Sequence, residues 1–144
     1  MRTTSLLPGV LLLASGFAFA AGDAAPAPKA PPGAKVFIVS PKDGATVGPD
    51  VTVKFGVEGI ALKPAGDATP DSGHHHLLID ASELPPLAAP IPNDATHKHY
   101  GKAQTEDTIH LEPGTHTLQL DFGDAAHRQF DPPLVSKKIT IHVK

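Results

Sequence analysis

Val51-Thr52-Val53-Lys54-Phe55-Gly56-Val57 sets Val51, Val53, Phe55 and Val57 on one side and Thr52 and Lys54 on the other. Successive side chains of a strand point to opposite faces, so this period of two describes a half-buried strand. The same pattern recurs downstream. Leu118, Leu120 and Phe122 share one face of Thr115 to Phe122, after the turn at Pro113-Gly114. Ile139, Ile141 and Val143 alternate with Lys138, Thr140 and His142 in a run from Val135 to Val143. Lys35 to Ser40, His74 to Asp80 and Asp107 to Leu111 read as further strands, and Pro41-Lys42-Asp43-Gly44 has the chemistry of a turn. No segment keeps a helical period over three turns. About six to eight short strands separated by turns predict an all-β fold, an immunoglobulin-like β-sandwich. The expected core includes Phe37, Val53, Phe55, Leu118, Leu120, Ile139 and Ile141.

The sandwich accounts for residues 35–144 of a 144-residue chain. Residues 1–20 read as a cleavable signal peptide. Arg2 supplies a positive start, Leu6-Leu7 and Val10 to Leu13 an apolar stretch, and Ala18-Phe19-Ala20 a small-x-small cleavage site. The apolar stretch is too short to span a bilayer, so no integral membrane anchor is expected after cleavage. Residues 21–34 are mostly Ala, Pro and Gly and read as a linker. The expected location is the periplasm or the exterior of the cell.

Composition limits the chemistry. The net charge is −3 with no basic stripe, which argues against nucleic acid as a partner. There is no cysteine, and the single methionine is the initiator. A metal site must therefore be built from imidazole, carboxylate or backbone oxygen.

Nine histidines stand out in a chain of this size. His74-His75-His76 opens a predicted strand, and His97-Lys98-His99 ends a long loop running from Ala81 to Thr105. A second long connection runs from Gly59 to Gly73, and loops of such length in a compact domain are usually functional or disordered. In extended chain, residues i and i+2 point the same way, so each H-x-H unit can offer two adjacent imidazoles to one ion. His74, His76, His97 and His99 are accordingly the candidate ligands, giving four nitrogens, or three plus a water, to Cu²⁺ or Zn²⁺. The competing view makes the same histidines a solvated or hydrogen-bonded cluster. His75 shares its phase with Leu77 and Ile79, and His116 with Leu118, Leu120 and Phe122. Both read first as packing residues, with a supporting role beside the ligands as the functional alternative. His110, His127 and His142 read as surface.

Gly73-His74-His75-His76-Leu77-Leu78-Ile79-Asp80, His97-x-His99-Tyr100-Gly101, Gln104-Thr105-Glu106, Pro113-Gly114-Thr115-His116-Thr117-Leu118 and Ser136-x-x-Ile139 together resemble the bacterial secreted domain-of-unknown-function family 4399. The resemblance implies export and a β-sandwich, and it supplies no reaction. It also implies two close histidines after Gly123-Asp124, where this chain has only His127.

The function expected from these features is a periplasmic or secreted metal-binding module for storage, delivery or sensing. The alternative is a non-enzymatic cell-envelope interaction or structural module, with another envelope protein as partner and a pH-responsive histidine surface. Copper–zinc superoxide dismutase also joins H-x-H to a sandwich, but its glycine and disulfide framework is missing here. No Ser/His/Asp or paired-carboxylate pattern emerges either, so an enzyme is not expected.

Overall fold

The computed structural model describes residues 25–87 and 89–144. The expected signal peptide lies outside the described residues. Strands and connections make up all of the described chain, with no helix among the described residues. The strands are β1 (Lys35–Ser40), β2 (Thr46–Val47), β3 (Asp50–Glu58), β4 (Ala61–Leu62), β5 (Ser72–Ile79), β6 (His97–His99), β7 (Glu106–His110), β8 (Gly114–Gly123) and β9 (Ile139–Val143). They form two sheets. One has the order β1-β3-β7; the other runs β2-β9-β8-β5-β4, with β6 also paired to β5. The core between them draws Val36, Val51, Val53, Phe55 and Ile109 from the first sheet and Leu77, Leu118, Leu120, Phe122, Ile139 and Ile141 from the second. The chain is an all-β, sandwich-like protein.

All six strands expected from the sequence are present, and the short β2, β4 and β6 extend the second sheet. Two details differ. Phe37, expected in the core, is 36% exposed, and Val36 takes the buried position. Phe37 pairs with Gly56 across the β1–β3 ladder and lays its ring over that glycine, where any Cβ would collide with it. The bare glycine thus gives an aromatic ring a seat on the outer face. The last strand starts at Ile139 and not at Val135. Ser136 takes part in the edge of β8 through both backbone and side chain, its N–H donating to Leu120 O and its Oγ accepting from Leu120 N–H. A side chain substituting for a ladder carbonyl delays regular pairing.

Residues 25–34, expected as linker, are laid along the domain. Asp131 N–H donates to Pro28 O at 2.8 Å, and Ala30 and Ala34 pack against the core.

Candidate metal centre

Strand β5 is buried along its whole length on both faces. Alternation sends His75, Leu77 and Ile79 into the core, while His74, His76 and Leu78 point to the opposite face of the sheet. His75 is seated between Phe55 and Phe122, with ring centroids 5.3 and 5.1 Å away. His74 and His76 have no solvent exposure either. The loops closing over them come from the two long connections and from the β8–β9 turn.

Strand β6 brings in the second H-x-H unit. Antiparallel pairing sets His99 opposite His76 and His97 opposite Leu78. The register is fixed by the residues around it. Tyr100 donates its N–H to His75 O at 3.1 Å and stacks on Phe55, and its hydroxyl donates to Asp107, which also holds Lys98. With Tyr100 anchored in the core, His99 must face the other way. Gly101 clears space for that ring, since a Cβ there would lie 2.9 Å from His99 Nε2.

His74, His76 and His99 are brought together, but His97 is not. Two residues further along β6, His97 Nδ1 donates to Asp94 Oδ1 at 2.9 Å, with Thr96 Oγ1 also beside it and bonded to the same carboxylate, and closes its own loop. The fourth place is taken by His127, which the sequence placed on the surface. His127 sits at φ +63° in a turn clamped by Asp124. The Asp124 carboxylate accepts from the N–H groups of Ala126 and Arg128 and pairs with the Arg128 guanidinium at 2.7 Å. His127 O accepts from Ile91 N–H, tying this turn to the long loop. The family resemblance was the one available signal: it expects histidine in this corner.

One ligand nitrogen from each of His74, His76, His99 and His127 lies within 4.8 Å of the other three. His74 Nε2 stands 3.1 Å from His99 Nε2 and 3.1 Å from His127 Nδ1. An imidazole nitrogen carries one in-plane proton or one in-plane lone pair, so it cannot serve both contacts as linear hydrogen bonds. Four nitrogens around a tetrahedral zinc at about 2.0–2.1 Å would lie about 3.3 Å from one another. The two contacts of His74 are close to that spacing, while the set as a whole reaches 4.8 Å and would have to draw in around an ion.

Burial sets the protonation. It lowers His74 to about 4, with the neighbouring charges of His99 and His127 adding to the effect and Asp124 opposing it. Burial likewise lowers His76 to about 3, helped by His74, His99 and His127. His99 is lowered in the same way, by burial and then by His127. His74 and His76 are therefore neutral at pH 7, the form that binds metal. His74 Nδ1 and both nitrogens of His76 meet no hydrogen-bond partner among the described residues. Each orphaned buried polar atom costs about 1–3 kcal/mol.

The two remaining sequence candidates lie apart from the cluster. His75 faces the core with both ring nitrogens unpartnered. His116, near the other end of β8, bonds Asp80 Oδ2 at 2.7 Å and Glu112 O at 2.8 Å. Seven steps of strand, about 23 Å, separate it from Gly123.

The molecule is thus a two-sheet β protein with four imidazoles gathered over the face of its larger sheet that points away from the core. The chain matches the domain of unknown function DUF4399 over residues 53–144 and belongs to that family. No curated protein and no solved structure matches it.

Proposed function

We propose that this protein is a periplasmic or secreted module that holds one divalent transition-metal ion, Cu²⁺ or Zn²⁺, through His74, His76, His99 and His127, for storage, delivery or sensing. The observation carrying this reading is His74 Nε2 facing two other imidazole nitrogens at 3.1 Å, in a cluster whose two β5 members are fully buried. Four imidazoles fill the four positions of a tetrahedral ion, leaving none open for a substrate. That favours holding the ion over catalysis. The Arg2, Leu6 to Leu13 and Ala18-Phe19-Ala20 pattern supports export.

The test is calorimetry of untagged protein with Zn²⁺ and Cu²⁺, repeated on His127→Ala and His97→Ala. Structural zinc sites bind with about 10–16 kcal/mol, about 3 kcal/mol for each of four ligands. His127→Ala should therefore weaken binding roughly 100-fold. His97→Ala should leave affinity within about threefold and instead destabilise the 94–97 loop by about 1 kcal/mol. Equal losses in the two variants would sink the assignment, and no binding by the parent protein would sink the metal reading.

A second reading, a cell-envelope interaction module, draws on Phe37 and Val39, which expose 36% and 41% of their surface on strand β1. A parent protein that binds no metal but is captured through that strand would favour it. As a pH-responsive contact surface the cluster is poorly suited, because His74 and His76 are buried from any partner and stay neutral in the folded protein across pH 5–8.

A further inference from the structure

Four neutral imidazoles leave a divalent ion's two charges uncompensated, and a buried charge needs a partner. The carboxylates borne by or bonded to the strands and turns that carry the cluster are mostly spoken for. Asp124 is paired with Arg128 at 2.7 Å, Asp107 with Lys98 at 2.9 Å, and Asp94 with His97 at 2.9 Å. Asp121 is different. It has no solvent exposure, and its Oδ2 accepts from the side-chain amide of Gln129, which is equally buried. Asp121 Oδ1 and Gln129 Oε1 meet no donor among the described residues.

Its position is set by the ladders. Asp121 stands directly opposite His76 on β8, and His99 stands opposite His76 on β6. Directly opposed residues share a face with Cβ atoms about 4.5–5.5 Å apart. His99, His76 and Asp121 therefore form one row across three strands, on the face away from the core. Leu120 and Phe122, the neighbours of Asp121 in sequence, point into the core instead. An acidic residue sunk in this row, bonded only by a neutral amide and with His97 as the one charge acting on it, is costly in the empty protein. The cost is recovered when a cation arrives next door.

We propose that Asp121, oriented by Gln129, is the counter-charge of the metal site and offsets the charge of an ion held by the four histidines. The proposal rests on the metal reading above and adds a residue that is not itself a ligand. A cation held beside this row favours the ionised carboxylate.

The experiment compares the parent protein with Asp121→Asn at about pH 7.5, using Zn²⁺ alone as the probe against a competing chelator. Asp121→Asn should raise the Zn²⁺ dissociation constant at least about tenfold and shrink the Zn²⁺-induced rise in Tm. Its metal-free Tm should equal or exceed that of the parent, since a buried carboxyl has been removed. Unchanged affinity overturns the proposal, and so does a lower metal-free Tm with unchanged affinity, the mark of a purely structural residue. A parent protein that fails to bind Zn²⁺ or Cu²⁺ removes the metal reading and this inference together. A parent that binds while Asp121→Asn binds equally well removes only the role of Asp121. Should Asp121→Asn not fold, the ¹³C carboxyl resonance of Asp121 in the parent must shift on Zn²⁺ addition and stop at one equivalent. A resonance that stays in place overturns the proposal.

Discussion

Mild acid should unfold the metal-free protein, and a bound divalent ion should protect it. Burial lowers His74 and His75 from 6.5 to about 4 and His76 to about 3. Above pH 6.5 neither the folded nor the unfolded chain protonates these rings. Between 6.5 and about 4 the unfolded chain takes up protons that the folded chain refuses, so stability falls as pH falls. Each such proton is worth roughly 1 kcal/mol per pH unit. Asp121 opposes the trend. Its carboxyl is raised from 3.8 to about 7, so in the same window the folded state carries a proton that the unfolded state lacks. His99 is lowered as well, while His110 and His116, raised by Asp50 and Asp80, oppose the trend; between one and two net protons remain, and a drop from pH 6.5 to 5 removes roughly 2–3 kcal/mol. That is a large part of the about 5–15 kcal/mol that holds a domain together. Urea unfolding followed by far-UV circular dichroism, in a chelator, at steps from about pH 7.5 to 4.5, measures it. Zn²⁺ at about 100 times its dissociation constant adds about 3 kcal/mol and should move the acid transition lower. A urea midpoint that stays flat between pH 7 and 5 in the chelator would refute the reasoning.

Other outcomes follow from the same packing. His75→Leu removes two unpartnered ring nitrogens between Phe55 and Phe122; it should raise metal-free stability by about 1–3 kcal/mol at pH 5 and leave Zn²⁺ affinity unchanged, both read by urea titration and calorimetry. Leu120→Ala empties a fully buried site and should cost about 2–5 kcal/mol in urea unfolding. Gly101→Ala would put a Cβ 2.9 Å from His99 Nε2; it should weaken Zn²⁺ binding by calorimetry more than it lowers the metal-free Tm. The intact mass of protein recovered from the periplasm should correspond to a chain starting at Ala21 or one residue on, and a mass that retains Met1 would contradict export.

How far the sequence reads into this structure depends on whether a feature is periodic or assembled. Strands β3, β8 and β9 are legible because their apolar residues alternate, and alternation is local. The burial of His75 is legible for the same reason, from its phase with Leu77 and Ile79. The H-x-H rule correctly puts His74 and His76 on one side, and the same rule puts His97 and His99 on one side. It says nothing of register, however. Sliding β6 along β5 decides which of the two reaches the cluster, and Tyr100, anchored on Phe55 and bonded to His75 O, makes it His99. His127 was illegible from periodicity, because it sits in an irregular turn whose shape is set by Asp124 reaching two backbone N–H groups and Arg128. Phe37 was misplaced for want of a partner: only the pairing with Gly56 reveals a seat for its ring on the outer face.

The core and the histidine cluster share strand β5, and this shapes what the protein can tolerate. His75 faces the core and His74 and His76 face the site, so the strand has no solvent-facing side to absorb change. Strand β8 has the same double duty, with Leu118, Leu120 and Phe122 inward and Asp121 outward beside His76. A one-residue slip of β5 would put His75 among the ligands and drop His74 and His76 into the apolar core. The aromatic seats of Phe55 and Phe122 around His75 hold the strand against that slip. The third histidine therefore serves the site without touching it. Its flat ring fills the aromatic seat and fixes the phase that presents its two neighbours, and the strand accepts a buried, acid-sensitive group as the cost. His75→Leu separates these contributions: it should relieve the acid sensitivity while Zn²⁺ affinity stays unchanged, because Leu fills the same apolar seat and keeps the phase; a loss of affinity would show that the ring itself holds the register.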